Sequence, residues 1–314
     1  MFKGKKIITF MGLLIIVLSV TSCGGGTSGG SEVSSVDVTH DREGYPITLP
    51  DEINTIISIG PSNTEVLVEL GFGSQIISTD KWSEGITGIT SDISVLDMMS
   101  LDAEFIINSN PDIIFITGMT RVHGDDHPLQ LVSDAGIAVI YMPSSTSIAD
   151  IFEDIRFMAA VLGVKDEGER IAQAMQDEID RITQIAETIT QKRTVYFEIA
   201  PAPNMWAVGG GTFQHEIIEL AGAQNIFADQ DSWIAVSDEM FLMYNPDVIL
   251  TSTYFIDDPV GEILARPGWG AITAVQNGDV ILVNSDNTNR PSHNIVKGLR
   301  EIAQAIYPEY FNED

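Results

Sequence analysis

The chain is short of cysteine and of positive charge. It has 314 residues with a single cysteine, Cys23, so no disulfide can close within it. Lys and Arg number 16 against 45 Asp and Glu, giving a formal net charge of −29. Nucleic-acid binding needs clustered Lys and Arg to neutralise phosphates, so that class is excluded. The apolar run Ile7 to Val20 has 14 residues, too few for a spanning helix, which needs about 20. Also lacking are a Gly-x-Ser-x-Gly elbow and a Walker-type glycine loop, which removes the commonest α/β hydrolase and nucleotide-hydrolase signatures. What is present is 44% hydrophobic residues, enough to bury a core and to exclude a disordered chain. The length suggests two domains of roughly 150 residues, or one two-lobed unit.

Lys3, Lys5 and Lys6 precede the short apolar run, the order of a secretory signal. The run ends in Val20-Thr21-Ser22-Cys23-Gly24, which resembles a bacterial lipobox, in which small residues precede a cysteine that becomes lipidated and N-terminal. Cys23 is therefore expected to carry lipid, which leaves no thiol nucleophile. Residues 23–44, rich in Gly, Ser and Thr, are expected to form a flexible tether. A globule anchored in this way works just outside the membrane.

From Tyr45 onward short β-rich runs alternate with helical stretches. Strands are expected at Thr55–Gly60, Gln75–Thr79, Asp112–Thr117 and Ala138–Met142, then at Thr194–Ile199, Asp247–Ser252 and Val280–Val283. Helices are expected at Thr64–Leu70, Ala103–Ser109, His215–Leu220, Glu239–Tyr244 and His293–Ile306. Such alternation implies parallel sheets covered by helices. The halves echo one another. Glu104-Phe-Ile-Ile-Asn-Ser-Asn110-Pro111-Asp112 matches Glu239-Met-Phe-Leu-Met-Tyr-Asn245-Pro246-Asp247, and Glu65 to Gly71 parallels Glu216 to Gly222. Two matches in the same order predict two similar lobes related by a diverged duplication.

Between the halves, Ile148, Ile151, Ile155, Met158 and Leu162, then Ile171, Met175, Ile179, Ile182 and Ile185, recur at spacings of three and four. This predicts amphipathic helix, with Gly163 and Gly168 the few turn signals. The expected organisation is α/β: a signal peptide (1–22), the tether (23–44), an N-terminal lobe (45–146), a long rigid helical connector (147–191) and a C-terminal lobe (192–314), the lobes being small and Rossmann-like with a ligand cleft between them.

The lipobox, tether, two α/β lobes and linking helix resemble the class III solute-binding proteins of ABC importers. That group includes binders of cobalamin, ferric siderophores and haem, with zinc and manganese binders as cousins. Ile59-Gly60-Pro61-Ser62-Asn63-Thr64-Glu65 is similar to the family's first strand and helix. Asn110-Pro111-Asp112 resembles its strand start, Gly222-Ala-Gln-Asn-Ile-Phe227 its second-lobe turn, and Asn289-Arg290-Pro291 with Ile295-Val296-x-Gly298-Leu299 the start of its final helix. The resemblance spans roughly residues 45 to 310 and implies docking of one glutamate per lobe into arginine pockets of the permease. By position these are Glu104 and Glu239, each at a helix start where a carboxylate is also favoured by the helix dipole alone.

In open α/β sheets ligands bind beyond the C-terminal ends of the strands. That rule selects Asn63, Thr64, Trp82, Arg121, Trp206, Trp233, Tyr254 and Arg290 as ligand contacts. The aromatic faces suit a large, flat, partly apolar ligand. Trp269, in Arg266-Pro-Gly-Trp-Gly, reads as a packed turn residue. Arg290 and Arg121 are the expected polar contacts, and with Lys81 they make a weakly basic pocket at most. A ferric catecholate is therefore disfavoured, leaving cobalamin, a hydroxamate chelate or a compact citrate-like complex.

His123-Gly-Asp-Asp-His127 is the weak metal candidate, supporting a free-metal or haem receptor of the same fold, or a surface zinc hydrolase, as alternatives. Val208-Gly-Gly-Gly-Thr212 could cradle an anion or merely turn a strand into a helix. The reading that results is a non-enzymatic, monomeric receptor lipoprotein without a resident cofactor. It sits on the outer face of the bacterial cytoplasmic membrane or in the periplasm, and its partners are a metal chelate and a permease with its ATPase.

Overall fold

Ile113 to Ile116 are apolar at successive positions, and a strand apolar on both faces must be covered on both. The computed structural model, which describes residues 36–120 and 129–311, arranges the β-rich runs in this way. Strands β1 (Ile56–Ile59), β2 (Ile76–Asp80), β3 (Ser94–Leu96), β4 (Ile113–Thr117) and β5 (Ala138–Met142) form an all-parallel sheet in the order β3-β2-β1-β4-β5. Helices α1 (Pro61–Glu69), α2 (Ala103–Ser109) and α3 (Gln130–Asp134) belong to this lobe. The connector is α4 (Ile148–Val161) followed by α5 (Lys165–Ala186). It is helical as its periodicity demands, and its single interruption falls at Gly163, whose φ of +73° glycine adopts without strain.

The second sheet comprises β6 (Thr194–Ala200), β7 (Trp206–Val208), β8 (Gln224–Asn225), β9 (Trp233–Ala235), β10 (Val248–Thr251) and β11 (Val280–Leu282). Its order is β11-β10-β6-β7-β9, with β8 pairing β6; β7 runs antiparallel to both of its neighbours. Its helices are α6 (Phe213–Leu220), α7 (Asp238–Tyr244), α8 (Pro259–Leu264), α9 (Thr273–Asn277), α10 (Ser285–Asn289), α11 (Ile295–Ile306) and α12 (Pro308–Phe311).

Alternate side chains of each strand enter different cores. Ile113 and Phe115 of β4, Val195 and Phe197 of β6, and Val248 and Leu250 of β10 join one continuous apolar cluster with Ile151, Ile155 and Met158 of α4 and Ile171, Met175, Ile179 and Ile182 of α5. Ile114 and Ile116 face a separate N-terminal cluster, and Tyr196 and Ile249 a separate C-terminal one. The two-residue period of the strands thus sends one face of each sheet to the shared connector and the other to its own lobe.

The sequence echo is a structural one. α2 and α7 are capped at the same position, Asp102 accepting from the Phe105 amide and Ser237 from the Met240 amide. Both end on a left-handed asparagine, Asn110 (φ 46°) and Asn245 (φ 45°). The aspartates two residues later then hold the start of a neighbouring strand. Asp112 Oδ2 accepts from the Thr55 amide and hydroxyl at 2.8 and 2.9 Å, and Asp247 Oδ2 from those of Thr194, both at 2.8 Å.

The expected tether is shorter at its C-terminal side than 23–44. Val36 and Val38 pack on the shared core, and the buried Asp41 carboxylate accepts from the amides of Glu43, Tyr45 and Tyr141. Arg42 donates to Asp154 of α4 at 2.7 Å. The composition that signals flexibility ends at Ser35, and a short acidic side chain among free amides does the rest. The signal peptide and Cys23 lie outside the described residues. Among the described residues no helix is long and apolar enough to cross a membrane.

The lobes meet directly as well as through the connector. Glu65 of α1 accepts from Arg290 at 2.7 Å, from the Ser292 hydroxyl and from Asn294 Nδ2 at 3.1 Å. In the echoed position Glu216 of α6 accepts from the Ile148 amide at the start of α4, at 2.8 Å. Beside the first bridge, His293 Nε2 lies 3.6 Å from Glu69 Oε2. Burial lowers its pKa, which Lys297 reinforces and Glu69 and Glu65 oppose.

Two stability predictions follow from these buried charges. Glu198, 1% exposed, is held by Arg266 through two bonds at 2.6 and 2.9 Å, and burial raises its pKa. Arg266→Met leaves that carboxylate unpaired and is expected to cost roughly 3–5 kcal/mol in denaturant unfolding. The deficit should shrink at acid pH, where Glu198 takes up a proton. His293 has its folded pKa below its unfolded one, so its contribution is present above the unfolded value of about 6.5 and lost as pH falls toward the folded value. Thermal unfolding from pH 8 to 5 should therefore show His293→Gln gaining on the parent as the solution is acidified; a constant difference would contradict this.

Candidate ligand-binding cleft

The N-terminal strand order places a switch point between β1 and β4, whose crossovers leave in opposite directions, and ligands bind at such points. Gly60 ends β1 there with φ +108° and donates its amide to Asp80 Oδ2 at 2.8 Å. A Cβ at this position would lie 3.0 Å from Thr117 Cβ at the end of β4. Only glycine lets the two strand ends come this close, and Pro61 at the first turn of α1 is thereby presented to the space beyond them.

That space is a cavity of about 480 Å³ between the lobes. Its N-terminal wall is Pro61, Ser62, Met98, Thr117, Met119 and Pro143 to Ser145; its C-terminal wall is Ile199, Phe213, Gln214, Trp233 and Asn289 to Pro291. The walls are chiefly apolar and aromatic, with hydroxyls and two carboxamides interspersed. Trp233 is held in place by Nε1 donating to Gln214 Oε1 at 3.3 Å. The Ser145 hydroxyl is committed to Asp154 at 2.6 Å. Asn289 donates Nδ2 to Ser252 and Ser285, at 2.9 and 3.2 Å, while its buried Oδ1 has no partner among the described residues.

The expected contacts divide sharply. Trp233 and Arg290 line the cavity. Asn63 and Thr64 do not: Asn63 donates to the Ile59 carbonyl at 3.0 Å, and the fully buried Thr64 hydroxyl lies 2.8 Å from Ser58 Oγ and 3.1 Å from Ser83 Oγ. With α1 beginning at Pro61, each residue turns about 100°, so Pro61 and Ser62 face the cleft while the next two turn back to the sheet. Trp82, Trp206 and Tyr254 are substantially exposed and line no part of this cavity. Trp82 contributes through its backbone, its carbonyl accepting from Arg290 Nη2 at 3.2 Å. Tyr254 stands edge-on to Phe255 with centroids 5.7 Å apart. Arg121, His123 and His127 lie outside the described residues. Trp269 is the packed turn residue expected, stacked on Phe241 at 3.9 Å.

The glycine loop before α6 is tied down as a turn at its first two glycines. The Gly209 amide donates to the Ser232 carbonyl at 2.9 Å and the Gly210 amide to that of Gln230 at 2.6 Å, so both are already used. Among the described residues no group of three His, Cys, Asp or Glu is placed to hold a metal ion.

Several wall residues escaped the sequence analysis. Met98 follows a three-residue strand too short to show a pattern. Pro143 to Ser145 directly follow the expected strand Ala138–Met142, so the rule of strand ends could have found them. Phe213 and Gln214 occupy the first turn of a helix that was expected to begin two residues later.

Glu104 and Glu239 lie outside the cleft, exposed at equivalent positions in the first turns of α2 and α7, with no hydrogen bond or ion pair to any described residue. Beside Glu239, Met243 is 84% exposed one helical turn on.

Known proteins resemble this chain in sequence and in fold. An uncharacterized ABC transporter substrate-binding lipoprotein of Bacillus subtilis, YvrC, is 27% identical over 278 residues, covering 87% of this chain and 86% of its own. A cobalamin-binding protein of Halobacterium salinarum is 23% identical, covering 98% of this chain and 86% of its own. The crystal structure of a possible iron-binding, periplasmic solute-binding protein of Staphylococcus epidermidis superposes with a TM-score of 0.73 at 26% identity, covering 82% of this chain and 100% of that one. The periplasmic binding protein family matches residues 56–287, which take in both sheets. On that match and the two-lobed fold, the chain belongs to the periplasmic binding protein family.

Proposed function

We propose that this protein is the substrate-binding lipoprotein of an ABC importer, capturing a metal chelate between its lobes and delivering it to the permease. The observation that carries this reading is the mostly apolar cleft at the strand switch point, walled by Trp233, Phe213, Met98 and Met119. A corrinoid fits that lining best: it is broad and largely apolar, and its peripheral amides can pair with the hydroxyls and carboxamides among the walls. The similarity to a cobalamin-binding protein supports the same choice. A ferric hydroxamate is the nearest alternative in size and polarity.

Glu104 and Glu239 are the docking carboxylates in this reading. Each is exposed and unpaired among the described residues, one per lobe, and two such points fix an orientation against guanidinium pockets. Cys23 is the lipid anchor that keeps the receptor beside its permease and ATPase at the outer face of the membrane. The protein acts as a monomer and carries out no chemistry on its cargo. Because α4 and α5 share one core with both sheets, closure about the ligand is small, and release depends on the permease separating the lobes.

Two experiments test this. Tryptophan fluorescence of the purified full-length protein in detergent, titrated with cyanocobalamin, ferric hydroxamates, ferric citrate and haemin, should show saturable quenching by one chelate. Trp233→Ala should then weaken binding about tenfold or more, a loss of about 1.4 kcal/mol. Unchanged affinity would remove Trp233 from the site. Glu104→Ala combined with Glu239→Ala should abolish uptake by cells while leaving affinity for the chelate unaltered; a lost affinity would move these residues into the site.

A further inference from the structure

The cleft has one cationic side chain among its described lining residues, Arg290, and no carboxylate. That cation is already spent. Nη1 donates to Glu65 Oε1 at 2.7 Å, and Nη2 lies 2.8 Å from Asp286 Oδ1 and donates to the Trp82 carbonyl. Glu65 is saturated in turn, its second oxygen accepting from Ser292 and Asn294. The Glu65 side chain is 7% exposed and that of Arg290 19%. The pair crosses from the N-terminal lobe to the C-terminal lobe. Behind it lies a second, polar cavity of about 410 Å³, lined among others by Glu65, Glu84, Asp286 and His293, so Arg290 forms part of the partition between the two spaces.

An anionic ligand reaching for Arg290 would have to compete with a buried carboxylate. Drawing the guanidinium away would leave Glu65 buried beside two neutral donors and without its counter-charge, which is strongly unfavourable. A ligand without negative charge meets no such opposition and finds apolar walls. Resting on the receptor reading above, we infer that the Glu65–Arg290 bridge sets the charge class of the ligand: it withholds the only described cation of the cleft, and the site selects neutral or cationic chelates over anionic ones. Arg290 is thus a positioning and selectivity residue and not the free polar contact expected of it.

The test uses the full-length protein in detergent and five probes: cyanocobalamin and ferrichrome, which are neutral, ferrioxamine B, which is cationic, and ferric citrate and ferric enterobactin, which are anionic. The parent should bind at least one of the first three, and both anionic chelates about tenfold or more weakly than that one. Glu65→Gln removes the buried counter-charge of Arg290, leaving only the exposed Asp286 beside it, and should narrow the gap by about tenfold, through a gain for the anionic chelates. The double variant Glu65→Gln, Arg290→Gln keeps the shape of the bridge with no charge on either residue and should restore the parental preference. A purely structural bridge would not give a gain in one variant that its partner substitution cancels. Binding of an anionic chelate by the parent as tightly as a neutral one overturns the inference and leaves the receptor reading standing, as does a double variant that keeps the gain of the single one. Silence from all five probes and from haemin overturns the receptor reading and this inference with it, whereas binding of haemin alone, an anionic chelate, overturns the inference and leaves the receptor reading standing.

Discussion

Everything in this protein hangs on one apolar core that does not stop at a lobe boundary. Each sheet turns one face inward to α4 and α5, and the inward side chains of β4, β6 and β10 meet the same helices. Interiors are close-packed and do not deform continuously, so moving one sheet relative to the other requires sliding past a packed helical surface. A two-lobed binder built on loops could hinge widely. Here both sheets are instead packed on the same two helices.

The echo between the halves places matching side chains at matching positions of the two lobes. In each half a capped short helix, a left-handed asparagine and an aspartate that grips the next strand recur with the same hydrogen bonds. The glutamates in the first turns of these helices are consequently related by the same operation that relates the lobes. The other echoed pair has diverged in use: Glu65 reaches across to the C-terminal lobe and Glu216 to the start of the connector. Carboxylates placed one turn into a helix on matching faces reach out of their own lobe, and what they meet decides their role.

Charge is distributed to match. A chain of net charge −29 keeps its acids on the surface or pairs them, and the interior of the cleft is left almost uncharged. Where charge is buried it is either paired with the opposite sign, as at Glu198 with Arg266 and Glu65 with Arg290, or ringed by amide and hydroxyl donors, as at Asp41 and Asp80. This is the arrangement that desolvation demands.

Much of this was legible in the sequence. Ala103–Ser109 and Ala138–Met142 lie where they were expected, and the strand centres, the helical connector and the echo all follow from periodicity and from turn residues, which act over a few residues. The short strands β3, β7, β8 and β9 were not legible, because two or three residues cannot display a period. Nor could the sequence orient the cleft. It marked Asn63 and Thr64, yet these turn to the sheet while Ser62 faces the ligand space, a difference of one helical step. It marked three tryptophans, of which only Trp233 lines the cleft, and it left Arg290 free when Glu65, remote in sequence, neutralises it. Local pattern determined the elements and their order, since propensity and periodicity are properties of neighbouring residues. The direction of a side chain and the charge it is left with depend on residues brought together from opposite ends of the chain, and only the tertiary structure decided those.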